Sequence, residues 1–136
     1  MACLDTTFLI DLARSRSSPV GERARAKRRE LADRGEACLT TRFNVAELYV
    51  GVWRAPDAGR EERAVAAILD GMGILEFDDR AARLFGRITA CLQRLGRPAG
   101  DMDVLVGATA LAANDLLVTR NADHFADIIG LEVETY

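Results

Sequence analysis

Short apolar runs along the chain alternate with longer stretches in which apolar residues recur every three or four positions. ACL at 2–4, ACLTT at 37–41, ILEF at 74–77 and LLVT at 116–119 read as strands. LEVETY at 131–136 alternates in the manner of a last, more exposed strand. Between them the helical period predicts helices over residues 6–14, 19–34, 43–54, 58–71, 79–95 and 101–113, with a short one near 122–128. Strand and helix in alternation predict an α/β fold with a mostly parallel sheet. The breaks at Ser17-Ser18-Pro19, Ala55-Pro56-Asp57 and Gly96-Arg97-Pro98 read as loops inside one domain spanning 1–136.

Two helices declare their buried faces. Val45, Leu48, Tyr49 and Val52 form an i, i+3, i+4, i+7 stripe, and Ala82, Leu84, Phe85, Ile88, Cys91, Leu92 and Leu95 form a second. Asp79, between ILEFD and AARLFGRI, is placed to cap the second of these helices by accepting a backbone N–H.

Composition narrows the class. With 136 residues the chain fits one domain and can bury a core without disulfide or metal staples. Apolar residues make up 49% and charged residues 29%, a globular balance. No apolar stretch approaches the roughly 20 residues of a membrane helix, and MACLD lacks the features of a secretory leader. A soluble, cytoplasmic protein is expected. Cys3, Cys38 and Cys91 are odd in number and lack CxxC spacing, which argues against a disulfide framework or zinc site and for small buried hydrophobes. The single histidine, His124, cannot make a His-rich metal site, has no serine or cysteine elbow to serve, and reads as structural or peripheral.

A net charge of −3 speaks against nucleic-acid binding by bulk charge. The distribution is uneven, however. Residues 22–34 carry Arg23, Arg25, Lys27, Arg28, Arg29 and Arg34 against three acids, either a phosphate-tracking patch or the solvated face of a helix.

The chemistry is carried by acids. Ligands of open α/β sheets bind at the carboxyl ends of the strands, so polar residues there come first. Asp5 ends the first strand, Thr40 and Thr41 the second, Asp78 the third, and Thr119-Arg120-Asn121 the fourth. Glu47 is the only acid between Ala37 and Pro56 and borders an apolar stripe, which favours a partly buried carboxylate in need of a cation over a surface glutamate. Asp101 and Asp103 open a helix of small apolar residues; Asp101 can cap it, and either charge suits its dipole. Taken singly, each acid has such a local explanation. Converging carboxylates repel unless a cation sits among them, and oxygen donors without a histidine or cysteine set suit Mg²⁺ or Mn²⁺. Read that way, Asp5 is a metal ligand and Thr6 caps the first helix. Asp11, about 600° further on at about 100° per residue, lies on another face and is left out.

LDTTFLIDL, NVAELYVGV, GDMDVLVGATALAAND and the closing LLVTRNADHFADIIGLEVETY, in this order, resemble the PIN-domain nucleases, and within them the toxins of VapBC-type toxin–antitoxin pairs. The resemblance covers essentially the whole chain. It implies a three-layer α/β/α sandwich around a five-stranded parallel sheet and a cluster of acids that binds Mg²⁺ or Mn²⁺ to hydrolyse RNA. Carried over by position, the catalytic set is Asp5, Glu47, Asp103 and Asn121, with Asp5 and Asp103 as the metal ligands. Asn121 stands where many relatives have aspartate, and Asp123 is placed to compensate. Thr6, Asp101 and Thr119 support the set, and Arg120, Arg25 and Arg28 are candidates for holding RNA. The resemblance further implies a homodimer and a small cognate antitoxin that covers the groove, often inserting an arginine-bearing segment. The helix around Tyr49–Trp53 offers such a partner an apolar face, or else packs into the core.

Two other classes compete. An aspartyl-phosphate phosphatase would need a second aspartate two residues after Asp5, where Thr7 stands. A receiver-like regulator would want a lysine after its last strand, and the only lysine is Lys27. A non-catalytic RNA- or protein-binding module with a degraded site is favoured by Asn121 and opposed by Asp5, Glu47 and Asp103.

Overall fold

The computed structural model describes every residue except Arg16 and Pro98. Pro98, part of one expected break, therefore lies outside the described residues. Five short strands form one parallel sheet: β1 (Ala2–Leu4), β2 (Cys38–Thr41), β3 (Gly73–Leu75), β4 (Leu116–Val118) and β5 (Val133–Glu134), in the order β3-β2-β1-β4-β5. The connections are α1 (Thr6–Ala13) and α2 (Pro19–Asp33), α3 (Arg42–Arg54) and α4 (Ala58–Leu69), and α5 (Asp79–Arg94) and α6 (Asp101–Ala113); a 3-10 turn over Ala122–Phe125 precedes β5. The expected α/β/α sandwich with a five-stranded parallel sheet is the fold found.

The two-residue period of the strands builds both layers. Ala2, Leu4, Leu116 and Val118 point to one face, where Phe8 and Leu9 of α1, Ala24 and Leu31 of α2, Leu48 and Val52 of α3 and Val65 of α4 complete a core. Cys3 and Leu117 point to the other, against Ile88 and Leu92 of α5, Val104, Val106, Ala108 and Ala110 of α6, Phe125 and Ile128. Phe8, Leu4 and Leu9 are fully buried, each contributing about 2 kcal/mol of transfer free energy. The small residues of α6 are a packing requirement: a Cβ at Gly107 would run into the Ile128 side chain. Asn114 ends this helix in the left-handed conformation (φ 56°), which asparagine tolerates better than most residues.

Several expectations need correction. Asp78, not Asp79, caps α5, its carboxylate accepting the Ala81 N–H at 2.8 Å. Asp79 falls one residue inside the helix, where its charge still favours the dipole. The core face of α5 uses Ala81 in place of Ala82, and Leu95 is exposed, because the helix ends at Arg94. Tyr49 is 38% exposed and the α3 stripe is narrower than predicted. Cys3 is buried, whereas Cys38 and Cys91 are only half-buried. The strands are shorter than their apolar runs. Beyond Leu75 the chain leaves the sheet, with Glu76 exposed and paired to Arg42. Among the described residues no helix is long and apolar enough to cross a membrane.

Candidate active site

β1 and β4 are neighbours whose connections leave in opposite directions across the sheet. β1 leads through α1 and α2 to β2, whereas β4 is reached from the far edge through α5 and α6. Between their carboxyl ends lies the topological switch point, where such sheets bind ligands. Asp5 directly follows β1 and Thr119 directly follows β4.

Asp5 occupies the N-cap position of α1 yet makes no side-chain cap bond. Its buried carboxylate turns instead to two hydroxyls: Oδ2 accepts from Thr7 Oγ1 at 2.9 Å and from Thr119 Oγ1 at 2.8 Å. Each hydroxyl is in turn oriented by the backbone after β4. Thr7 Oγ1 accepts the Arg120 N–H at 3.3 Å and Thr119 Oγ1 the Asn121 N–H at 3.0 Å. Forgoing the cap costs about 1 kcal/mol and leaves the carboxylate presented at the sheet end.

Glu47 enters from the second turn of α3. Its Oε2 shares the Thr6 hydroxyl with Asn44 Oδ1. Thr6 is the first residue of α1 and caps nothing; its hydroxyl is spent across the site. One hydroxyl proton cannot fully serve two acceptors. When Glu47 is protonated it can donate to Thr6, which then donates to Asn44. Asn44 was not singled out in the sequence. It is wholly buried, and its Nδ2 donates to Leu4 O and Thr40 Oγ1, both at 3.1 Å, tying α3 to β1 and β2. The Asn-x-x-Glu spacing of RFNVAEL was its only local signal: i and i+3 share a helix face.

Asp103 enters from the first turn of α6. Gly100 holds the cap position there, so Asp101 is the first helical residue and caps nothing. Asp101 lines a small cavity with Thr89, Leu92 and Val104, on the side of α5, whose lining includes none of the other site acids. Asp103 Oδ2 stands 3.2 Å from His124 Nδ1. His124, read as structural or peripheral, thus touches a site carboxylate; its partner lies 21 positions back in the chain, and no local pattern reveals the contact. Exposed Asp123 sits in the same cleft of about 330 Å³, together with Arg97, Gly100 and Asp127.

The charges of these acids act on one another. Burial raises the Glu47 carboxyl above its usual range, opposed by the Thr6 hydroxyl and reinforced by the charges of Asp5 and Asp103. Burial likewise raises Asp103, with His124 pulling down and Asp5 pushing up. Among the described residues, no group of three or more His, Cys, Asp or Glu side chains is arranged to enclose a metal ion. The donor set still fits a hard ion in the open mode of Mg²⁺, which takes one or two carboxylates and keeps several waters. Asp5 and Asp103 are the two that suit it.

Arg25 and Arg28 fall elsewhere. Arg25 bonds Glu22 and the carbonyls of Arg14 and Ser15, and with Arg28 it lines a cleft among α1, α2 and α4 that contains none of these acids. Arg120 directs Nη1 to Asp11 at 2.8 Å.

A family model described as PIN domain matches residues 2–131. The chain belongs to the PIN-domain family. Within that family it is similar to the VapC proteins. It is 26% identical to the tRNA(fMet)-specific endonuclease VapC of Shigella flexneri over 98% of this chain and 96% of that one. It is 29% identical to ribonuclease VapC2 of Haemophilus influenzae over 75% and 76%. Among solved structures, VapBC2 of Rickettsia felis bound to a promoter DNA fragment superposes with a TM-score of 0.86 at 21% identity, covering 99% of this chain and 98% of that one. DNA-bound VapBC of Salmonella typhimurium gives 0.82 at 24% identity over 98% and 96%. The PIN fold of this chain is therefore that of the VapBC structures.

Proposed function

We propose that this PIN domain is a metal-dependent endoribonuclease and the toxin of a VapBC-type pair. The reading is supported by the electrostatic coupling of Glu47 to Asp5 and Asp103 and of Asp103 to Asp5, with Asp5, at the switch point, withdrawn from helix capping. The names of its VapC relatives, ribonucleases and a tRNA endonuclease, support it.

Asp5 and Asp103 would hold Mg²⁺, or Mn²⁺ in its place. A divalent ion there lowers the pKa of a bound water and offsets charge on the phosphate oxygens. The residues do the rest. Thr7 and Thr119 fix the Asp5 carboxylate through two hydroxyl bonds. Glu47, more basic than an ordinary glutamate because it is half-buried, accepts a proton from the attacking water, with Thr6 steadying its Oε2. Asn121 is neutral, where an aspartate would add charge, and Asp103 is held by His124.

The antitoxin fits a groove of about 300 Å³ whose apolar wall is Ile10, Ala13, Leu48, Val65 and Ile68 and whose lining includes Glu47. Ile10, in its wall, is exposed. An amphipathic segment lying there would bring a basic side chain within reach of the acids. Homodimerisation belongs to the same reading and is checked by light scattering of the toxin alone.

The deciding assay is cleavage of structured and single-stranded RNAs by purified, antitoxin-free protein with Mg²⁺ or Mn²⁺, beside an Asp5→Ala variant. Cleavage that needs the ion and Asp5 is expected. Folded protein that cleaves no RNA points to a non-catalytic module, the reading that Asn121 favours. Cleavage surviving Asp5→Ala removes the site assignment.

A further inference from the structure

Among the described residues, the most deeply buried charge lies outside the acid cluster. Asp11, on α1, has no exposed surface, and three donors from three parts of the chain converge on it. Arg14 Nε reaches Oδ1 at 2.8 Å; Arg120 Nη1 and the Tyr136 hydroxyl reach Oδ2 at 2.8 and 2.9 Å. Tyr136 also packs edge-on against Phe8, with ring centroids 4.7 Å apart. A buried carboxylate so fully satisfied is fixed in position, and so is whatever it grips.

What Asp11 grips is the loop that orients Asp5. Arg120 sits between Thr119, whose hydroxyl donates to Asp5, and Asn121, whose N–H holds the Thr119 hydroxyl. The N–H of Arg120 itself holds Thr7, the second donor to Asp5. Thus the guanidinium end of Arg120 is anchored on α1, and its backbone end sets both hydroxyls that aim the Asp5 carboxylate. Arg14 supplies Asp11 with an equal charge but has no bond to that loop among those described.

We infer that Asp11 and Arg120 are positioning residues for the Asp5 carboxylate, acting through the Thr7 and Thr119 hydroxyls. In this role Arg120 is a strut of the site rather than a contact for RNA. The inference rests on the reading of Asp5 as a metal ligand, and its test separates the two.

The comparison is between Arg120→Gln and Arg14→Gln, each of which removes one charged donor from Asp11 while two donors remain. Three quantities are measured on the full chain without antitoxin. The first is hydrogen exchange of the amides at 120 and 121, which requires neither ion nor RNA. The second is the Mn²⁺ dissociation constant from calorimetric titration. The third is kcat and KM for RNA cleavage across a salt series. With Arg120→Gln, the two amides are expected to exchange at least about tenfold faster. Mn²⁺ affinity is expected to fall about tenfold, the lower end for losing a group that orients a metal ligand. kcat is expected to fall with it, while KM and its salt dependence stay as in the unmodified protein. Arg120→Lys, which keeps the charge, is expected to recover part of each loss. Arg14→Gln is expected to stay within about twofold throughout, the scale of a surface change.

Equal effects from the two variants, or exchange rates unchanged by Arg120→Gln, overturn the inference. So does a raised KM whose salt slope falls by about one with Mn²⁺ affinity intact, because that marks Arg120 as a phosphate contact. An unmodified protein that binds Mn²⁺ but cleaves no RNA defeats the nuclease reading alone; exchange and titration still judge the strut.

Discussion

Helix starts in this chain fall into two groups. α2, α3, α4 and α5 each begin with a side-chain cap, from Ser18, Thr41, Asp57 and Asp78. α1 and α6 begin without one, and these two bring Asp5 and Asp103 to the sheet end. At Asp78 a carboxylate saturates a backbone N–H and stabilises the fold. At Asp5 a chemically identical group in the same kind of position leaves the backbone unserved and is held by hydroxyls. The same residue type, at the same N-cap position, thus does different work according to what its partners demand.

Substitution should expose the difference. Asp5→Asn keeps an oxygen for Thr7 and Thr119, so folding stability is expected to move by less than about 1 kcal/mol. Cleavage of RNA is expected to fall by at least on the order of a hundredfold, since even groups one step removed from a metal cost 10–100-fold. A pair of measurements, urea unfolding and turnover, checks it. If Asp5→Asn instead unfolds readily and keeps its turnover per folded molecule, Asp5 belongs with Asp78.

Glu47 gives a subtler contrast. Its pKa is raised above the ordinary 4.5, so the folded chain binds more protons here than the unfolded chain. Stability from this group therefore falls as pH rises from 4.5 toward the folded value, and the loss then stays constant. Glu47→Gln removes that loss, so without added metal its Tm should overtake that of the unmodified protein as pH rises. In turnover, the acid limb of the pH profile should lie above 4.5 and vanish in the variant. A Tm difference independent of pH would remove the raised pKa.

The smallest effect expected is at the capped helices. Asp78→Ala should lower stability by about 1 kcal/mol and leave the turnover of folded protein unchanged. Any change in metal affinity there would blur the division between the two groups.

Much of this was legible in the sequence because it is local. Apolar runs and helical periods mark five strands and their helices in the right order, and strand-end acids pick out Asp5. Boundaries were read less well. Asp78 and Asp79 both carry a cap's chemistry, and only the backbone decides which stands outside the first turn. The run ILEF predicts a longer third strand than exists, since the sheet pairing ends at Leu75. Harder still were the contacts between distant segments. Asp11 was judged by its angle from Asp5 along one helix, but its partner Arg120 lies 109 residues away. Asn44 has no sequence signal beyond its spacing from Glu47, and it is buried under β1. Such pairs leave no periodic trace and come into view only when the chain has folded.

The claim beneath all of this is that Asp5 and Asp103 present an ion site. Thermal unfolding of the purified protein with increasing Mn²⁺, beside Asp5→Asn, tests it most directly and requires no RNA. At a hundredfold excess over Kd the unmodified protein should gain about 2.7 kcal/mol, on the order of 10 °C in Tm, and the variant should gain little. Equal shifts in the two proteins, or none in either, would contradict the account.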